Sequence, residues 1–243
     1  MKLLLATLAL LLASASVAAA ADQPLAGKTI LVDPGHNGGN AAHPEIINKL
    51  VPAGGFKKAC DTTGTATGDG SLSETAFNWD IAKRLRRLLA ADGAKVVFTR
   101  KNDSGVGPCI NKRAAIGNRA KADAAISIHA DGAAESGHGF HVIRPGLVKG
   151  YTEPIVEPSR QLALDIRAAL DKAGLARSTY AGKNGIDKRT DLGGLNLSRV
   201  PKVFVEVANM QNRADEAPME RPAYRARVAR ALATALEAFL AAL

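Results

Sequence analysis

The hydrophobic pattern along the chain switches between two periods. The β-branched run at 29–32 stops at Asp33-Pro34-Gly35 and reads as a first strand. Over 74–90, Phe77, Ile81, Leu85, Leu88 and Leu89 share one helical stripe, while Lys83, Arg84, Arg86 and Arg87 lie elsewhere. That pattern predicts an amphipathic helix, ended by Asp92-Gly93. Residues 95–99 read as a strand and 110–120 as a helix carrying Arg113. The segment 124–129 alternates, with Ile126 and Ile128 on one face and Ser127 and His129 on the other. Further on, 139–143 predicts a strand, 159–172 a helix, 202–207 a valine-rich strand and 221–243 a closing amphipathic helix. No period is evident over 37–73 or 182–197. A long irregular stretch inside a compact domain is uncommon unless it is functional or disordered, and 37–73 is expected to form a flap over a site. Strands alternating with helices predict an α/β layer architecture in a single domain, without internal repeat or linker.

The amino terminus follows a different logic. Met1-Lys2 precedes an apolar run at 3–12, then small residues to Ala21, and the first acidic residue is Asp22. This is the pattern of an export signal over 1–21, cleaved near Ala20 or Ala21, with a domain over 22–243 remaining. A membrane anchor is the alternative, but the apolar core is short for a span. The net charge of +9 falls by one when Lys2 leaves, and cationic proteins linger near anionic polymers. Export argues against nucleic acid as that polymer, and an anionic cell envelope fits better; solubility alone is the other reading. The two cysteines, Cys60 and Cys109, suggest a disulfide in an exported chain, worth about 4 kcal/mol for a loop of this length in the chain-entropy model. A reactive thiol is the alternative.

The candidate chemistry rests on few residues. Of five histidines, His36 and His129 sit at the carboxyl ends of predicted strands, where open α/β sheets build their sites. Two imidazoles, one carboxylate and a water make a catalytic zinc shell. Glu74 is the carboxylate candidate, because it lies on the apolar stripe at the start of its helix. Ser71-Leu72-Ser73-Glu74 also reads as a capping box, and His129 also fits a satisfied core histidine. His36, behind a proline–glycine turn, is harder to explain structurally. His138 and His141, three apart on a predicted strand, would face opposite ways and could not share one metal, and His43 is expected to be exposed. Glu206 is a charged residue inside the apolar run Val203-Phe204-Val205-Glu206-Val207. Burial would raise its pKa and suit it to general acid–base work, unless it pairs with Arg113 or Arg189.

Taken together, Ile30-Leu31-Val32-Asp33-Pro34-Gly35-His36, Glu74 opening a helix, Ala122-Asp123-Ala124-Ala125-Ile126-Ser127-Ile128-His129-Ala130 and Val203-Phe204-Val205-Glu206 resemble the zinc-dependent N-acetylmuramoyl-L-alanine amidases of the amidase-3 type. The resemblance implies a twisted, mostly parallel six-stranded sheet flanked by helices on both faces. It implies one zinc ion on His36, Glu74 and His129, with Glu206 as the catalytic carboxylate. It also implies hydrolysis of the amide between N-acetylmuramic acid and L-alanine, in peptidoglycan or muropeptides, by a monomer in the periplasm or cell wall. Arg100, Asp103 and Arg113 read as framework, and the cysteine pair looks like the exported actinobacterial version. Ala208 and Asn209 depart from the glycine and aromatic usual after the glutamate, while Asn212 and Glu216 keep the pattern that follows. A non-catalytic muropeptide-binding envelope protein and another exported zinc amidohydrolase or peptidase are the competing expectations.

Overall fold

The computed structural model describes residues 23–243, so the expected export signal lies outside the described residues. β1, Thr29–Pro34, carries the first apolar run and is followed by a 3₁₀ turn, Asn40–Ala42, and the single-turn helix α1, Pro44–Ile47. β2, Leu50–Pro52, and β3, Lys57–Ala59, form a separate antiparallel hairpin. α2, Glu74–Ala91, leads to β4, Lys95–Phe98, then α3, Ile110–Ala120, and β5, Ala124–Asp131. β6, His141–Pro145, α4, Val156–Lys172, β7, Ile186–Arg189, and α5, Gly193–Asn196, come next. β8, Lys202–Asn209, α6, Arg213–Met219, and α7, Pro222–Ala241, complete the order.

Six strands form one sheet in the order β4-β1-β5-β8-β6-β7. Neighbours run parallel except β8 and β6. The sheet is therefore mostly parallel with helices on both faces, as the family resemblance implies. α2, α4 and α7 cover one face. There Ile30, Val32, Ile126, Ile128, Val203 and Val205 join the helices' apolar stripes in the main core. α3 and α5 cover the other face, where Leu31, Ala122 and Ala125 pack with Ile116.

Several boundaries differ from the sequence reading. The segment 37–73 is not uniformly irregular, because it contains the 3₁₀ turn, α1 and the β2–β3 hairpin. These pieces are too short to display a period. The predicted strand at 139–143 begins instead at His141 and runs to Pro145, since Gly139 takes a φ of 91° that breaks extended backbone. β7 and α5 lie within the stretch 182–197, which shows no period. β7 is an edge strand of mixed polarity, Ile-Asp-Lys-Arg, with no alternation to detect. α6 is a further short helix, begun by the Asn212 side chain accepting from the amides of Ala214 and Asp215.

The face covered by α3 hides an ionic hub. By strand alternation Asp33 points to the same face as Leu31, and it is 1% exposed. Its Oδ1 accepts from Thr99 Oγ1 at 2.6 Å and Arg113 Nη1 at 2.9 Å. Its Oδ2 accepts from Ser127 Oγ at 2.9 Å and Lys202 Nζ at 3.0 Å. Lys202 itself is fully buried. Burial would raise the Asp33 carboxyl, but Lys202 and Arg113 outweigh it and hold the group far below the usual carboxylate range. Two outcomes follow. Lys202→Met leaves the carboxylate short of one cation and lowers the unfolding free energy by about 3 kcal/mol, measured in urea. Because the folded pKa is depressed, the Asp33 contribution is present above about pH 4 and is lost as the pH falls below it. The urea midpoint of the wild-type chain therefore declines on acidification below about pH 4, and Asp33→Asn flattens that decline.

Candidate active site

β1, β5 and β8 are neighbours, and their carboxyl ends deliver the candidate residues to one edge of the sheet. Asp33 pairs in register with Ser127, and His129 with Glu206. His36 follows β1 after Pro34-Gly35, with a left-handed φ of 53°. Glycine at 35 is required by close approach, since a Cβ there would lie 2.1 Å from His129 Cε1. Glu74 is the first residue of α2, which brings it down onto the ends of β1 and β5.

His36, Glu74 and His129 come together. Glu74 Oε1 lies 2.9 Å from His129 Nδ1 and 3.4 Å from His36 Nε2. Asn78 Nδ2 and the amide of Ala130 donate to the same oxygen, and the amide of Thr65 donates to Oε2 at 3.0 Å. The cap of α2 is Ser73, whose hydroxyl accepts from Ala76 N. The capping-box reading of Glu74 therefore fails: its carboxylate turns to the histidines rather than back to its own helix end. Burial would raise the Glu74 carboxyl, but the charge of His36 and the hydrogen bonds from His129 and His36 hold it well below the usual range. Burial would lower the His36 pKa, and the Glu74 and Asp61 carboxylates instead raise it to about 10.

The far side of each ring is also fixed. His36 Nδ1 lies 2.9 Å from Asp61 Oδ1. His129 Nε2 lies 3.2 Å from Ser127 Oγ, whose proton is directed at Asp33. The His129 ring stacks on Phe204, with centroids 5.2 Å apart and planes within 4°. With Nδ1–H of His36 given to Asp61 and Nε2–H of His129 given to Ser127, the remaining lone pair of each ring faces the same carboxylate oxygen. An arrangement of two lone pairs and an anion needs a positive centre among them, either a proton or a cation. The three ligand atoms lie within 4.8 Å of one another. Oxygen and imidazole nitrogen donors in a set of three suit a divalent ion such as zinc. A Cβ at Gly64 would fall 2.8 Å from Glu74 Oε2 and 3.1 Å from the His36 ring, so glycine leaves these donors their room.

Glu206 lies beside this cluster. A cavity of about 250 Å³ is lined by His36, His129, Phe204, Glu206, Lys58 and Arg189. Neither expected arginine partner reaches Glu206: Arg113 is bound to Asp33 and Asp61, and Arg189 to Asp191. Burial, together with the charges of Glu74 and Asp131, raises its carboxyl well above the usual range. The other histidines stand apart. His43 is exposed and pairs with Glu45. His138 precedes β6 rather than lying in it, so the opposite-face argument does not apply to the His138–His141 pair. His141 is buried opposite Glu206 across the β6–β8 ladder.

The framework residues surround the site. Arg100 reaches the carbonyls of Pro34 and Thr75 and the carboxylate of Asp103, and lies over the Trp79 ring. Cys60 and Cys109 form a disulfide. Asp61 and Lys202 were not singled out by sequence reasoning. Lys202 carried a signal, a cation opening a valine-rich strand; Asp61, in a stretch of glycine, threonine and alanine, carried none beyond its neighbour Cys60.

Known proteins resemble this chain in sequence and in fold. The Amidase_3 pattern, N-acetylmuramoyl-L-alanine amidase, matches residues 30–238. The chain is 39% identical over 232 residues to the N-acetylmuramoyl-L-alanine amidase Rv3717 of Mycobacterium tuberculosis, covering 93% of this chain and 92% of that protein. Its fold matches the crystal structure of the N-acetylmuramyl-L-alanine amidase Ami1 of Mycobacterium smegmatis with a TM-score of 0.84 at 39% identity, covering 90% of this chain and 99% of the other. The apo Ami1 amidase of Mycobacterium abscessus matches with a TM-score of 0.83 at 42% identity, covering 89% and 100%. Since the match takes in both β1 and β8 and all that lies between them, the chain belongs to the Amidase_3 family of N-acetylmuramoyl-L-alanine amidases.

Proposed function

We propose that this chain hydrolyses the amide between N-acetylmuramic acid and L-alanine of peptidoglycan, with one zinc ion held by His36, Glu74 and His129 and with Glu206 as the proton carrier. The observation that carries the reading is the convergence of two imidazole nitrogens on one carboxylate oxygen, beside the carboxyl group of Glu206 at the cavity wall. Bound zinc would supply Lewis acidity to the scissile carbonyl and make water acidic enough to ionise near neutral pH.

The protein's own residues do the rest. Ser127 fixes the His129 ring so that its Nδ1 faces inward. Phe204 holds His129 flat against the cavity wall. Glu206, with its raised pKa, takes a proton from water and returns it to the leaving nitrogen. The three-residue donor set leaves a coordination position for catalysis, which favours a hydrolase over a purely structural metal site. The proposal includes an export signal over 1–21 and one catalytic domain over 22–243. The segment 37–73 contributes Lys58, Asp61 and Thr62 to the cavity wall. No helix among the described residues is long and apolar enough to cross a membrane. The proposed setting is the periplasm or cell wall, where a monomer with a net charge of +9 in the full chain meets an anionic envelope.

Digestion of purified muropeptides, followed by mass spectrometry, tests the reaction. The wild-type protein is expected to free stem peptides that begin with an unblocked L-alanine. Cleavage at another bond would overturn the assignment. Glu206→Gln is expected to keep one metal per chain, measured by elemental analysis, while its rate falls by about 10²–10⁴-fold. A Glu206→Gln protein with an unchanged rate would remove Glu206 from the mechanism.

A further inference from the structure

Around His36 lies a clamp whose members the proposed reaction does not itself use. Asp61 Oδ1 holds His36 Nδ1 at 2.9 Å and also accepts from the amide of Thr62 at 2.8 Å. Asp61 Oδ2 accepts from Arg113 Nη2 at 2.9 Å, and that same nitrogen donates to the His36 carbonyl at 2.8 Å. Arg113 thus grips the backbone of His36, and Asp61, gripped by Arg113, holds its ring. His36 has need of both. Its φ of 53° lies in the left-handed region, which a residue with a side chain keeps only where its surroundings over-determine it. An imidazole held at neither nitrogen is free to turn about its own side-chain bonds.

The two halves of the clamp come from separate parts of the chain, and the disulfide joins them beside their point of contact. Cys60 immediately precedes Asp61 and is fully buried. Cys109 is the residue before α3, and its carbonyl accepts from the amide of Arg113 one turn later, at 3.0 Å. The Cys60 carbonyl in turn accepts from Ile110 N at 2.8 Å. The covalent link therefore sets how the Asp61 segment meets the first turn of α3.

We infer that Asp61 is a positioning residue that aims His36 Nε2 at Glu74, and that the Cys60–Cys109 disulfide holds the Asp61–Arg113 pair in register to do so. This rests on the reading of His36 as a metal ligand. It means that metal affinity, and not stability alone, depends on a carboxylate and a disulfide outside the ligand set.

The test compares the full chain with Asp61→Ala, Asp61→Asn and the double variant Cys60→Ser/Cys109→Ser. Serine is used instead of a reductant, because free thiols bind metal themselves. Zinc affinity is measured by competition with a chromophoric chelator. The visible absorption of the cobalt(II) form and the thermal midpoint of the metal-free protein are recorded alongside. Asp80→Ala, which breaks a pair with Arg84 and Arg225 away from the cavity, controls for destabilisation alone. Asp61→Ala is expected to lose about 10–100-fold in zinc affinity and to shift the cobalt spectrum. Asp61→Asn keeps an acceptor for the ring N–H but not the charge, and is expected to fall between it and wild type. The serine pair is expected to weaken zinc binding in the same direction, whereas Asp80→Ala lowers the thermal midpoint with affinity unchanged. Wild-type affinity and spectrum in the Asp61 variants overturn the role of Asp61, and Asp61→Asn decides this if Asp61→Ala does not fold. Wild-type affinity in the serine pair overturns the role of the disulfide. Absence of zinc binding by the wild-type chain, or undiminished binding by His36→Ala, overturns the metal reading instead.

Discussion

The site depends on one buried carboxylate. Asp33 ends the apolar part of β1 and is sealed between the sheet and α3, where four donors satisfy it. Each donor belongs to a different element or loop. Thr99 follows β4, Arg113 lies on α3, Ser127 on β5 and Lys202 on β8. A buried anion tolerates little displacement of its partners, because an unpaired charge in a low dielectric is far costlier than a lost apolar contact. The hub therefore fixes the relative positions of β1, β5 and β8 a few residues before the points where they present His36, His129 and Glu206. Ser127 ties the hub to the site directly, with its proton on Asp33 and its lone pair toward His129.

Three carboxylates within this small region meet different fates, Asp33 and Glu74 buried and Glu206 half-buried at the cavity wall. Asp33 and Glu74 are held ionised, the first by two cations and two hydroxyls, the second by two imidazoles and backbone amides. Glu206 makes no ion pair among the described residues, and burial with the charges of Glu74 and Asp131 raises it against the weaker pull of His36 and Arg189. Environments that push carboxyl groups apart in this way separate a group that binds from one that carries a proton. The separation here is structural in origin. Arg113 is the cation nearest in character to a partner for Glu206, yet it is wholly taken up by Asp33, Asp61 and three backbone carbonyls. The framework thus takes up Arg113 and leaves it no ion pair with Glu206.

What was legible in the sequence follows from this division of labour. His36 and His129 come at the carboxyl ends of apolar runs long enough to recognise, and Glu206 interrupts a third, so each could be read from the run and its interruption. Glu74 was ambiguous because a glutamate at a helix start has a local explanation. Only the tertiary fold, which makes Ser73 the cap and brings β5 alongside, sends its carboxylate elsewhere. Asp61 was silent, since a residue whose role is set by a disulfide neighbour and by an arginine 52 positions away has no periodicity to betray it. β7 and α6 were missed for a related reason. Short elements at an edge are held by their neighbours and their caps, and carry too few apolar residues for a pattern of their own.

The departure at 208–209 shows how the rim of the site is built without aromatic packing. Asn209 is fully buried at the end of β8. Its side-chain nitrogen donates to the carbonyls of Ala134 and Gly137, and its oxygen accepts from the amides of Ala133 and Gln211. Asp215, on α6, accepts from the amides of both Asn209 and Gly139. The segment that leaves β5 after His129 and returns at β6 is therefore stitched to the end of β8 by polar side chains. An amide with all its hydrogen bonds met can hold a loop in one place as firmly as a packed ring, and more directionally. This stitching anchors the end of β8 just beyond Glu206, so the strand that presents the carboxylate stays fixed without an aromatic at 209.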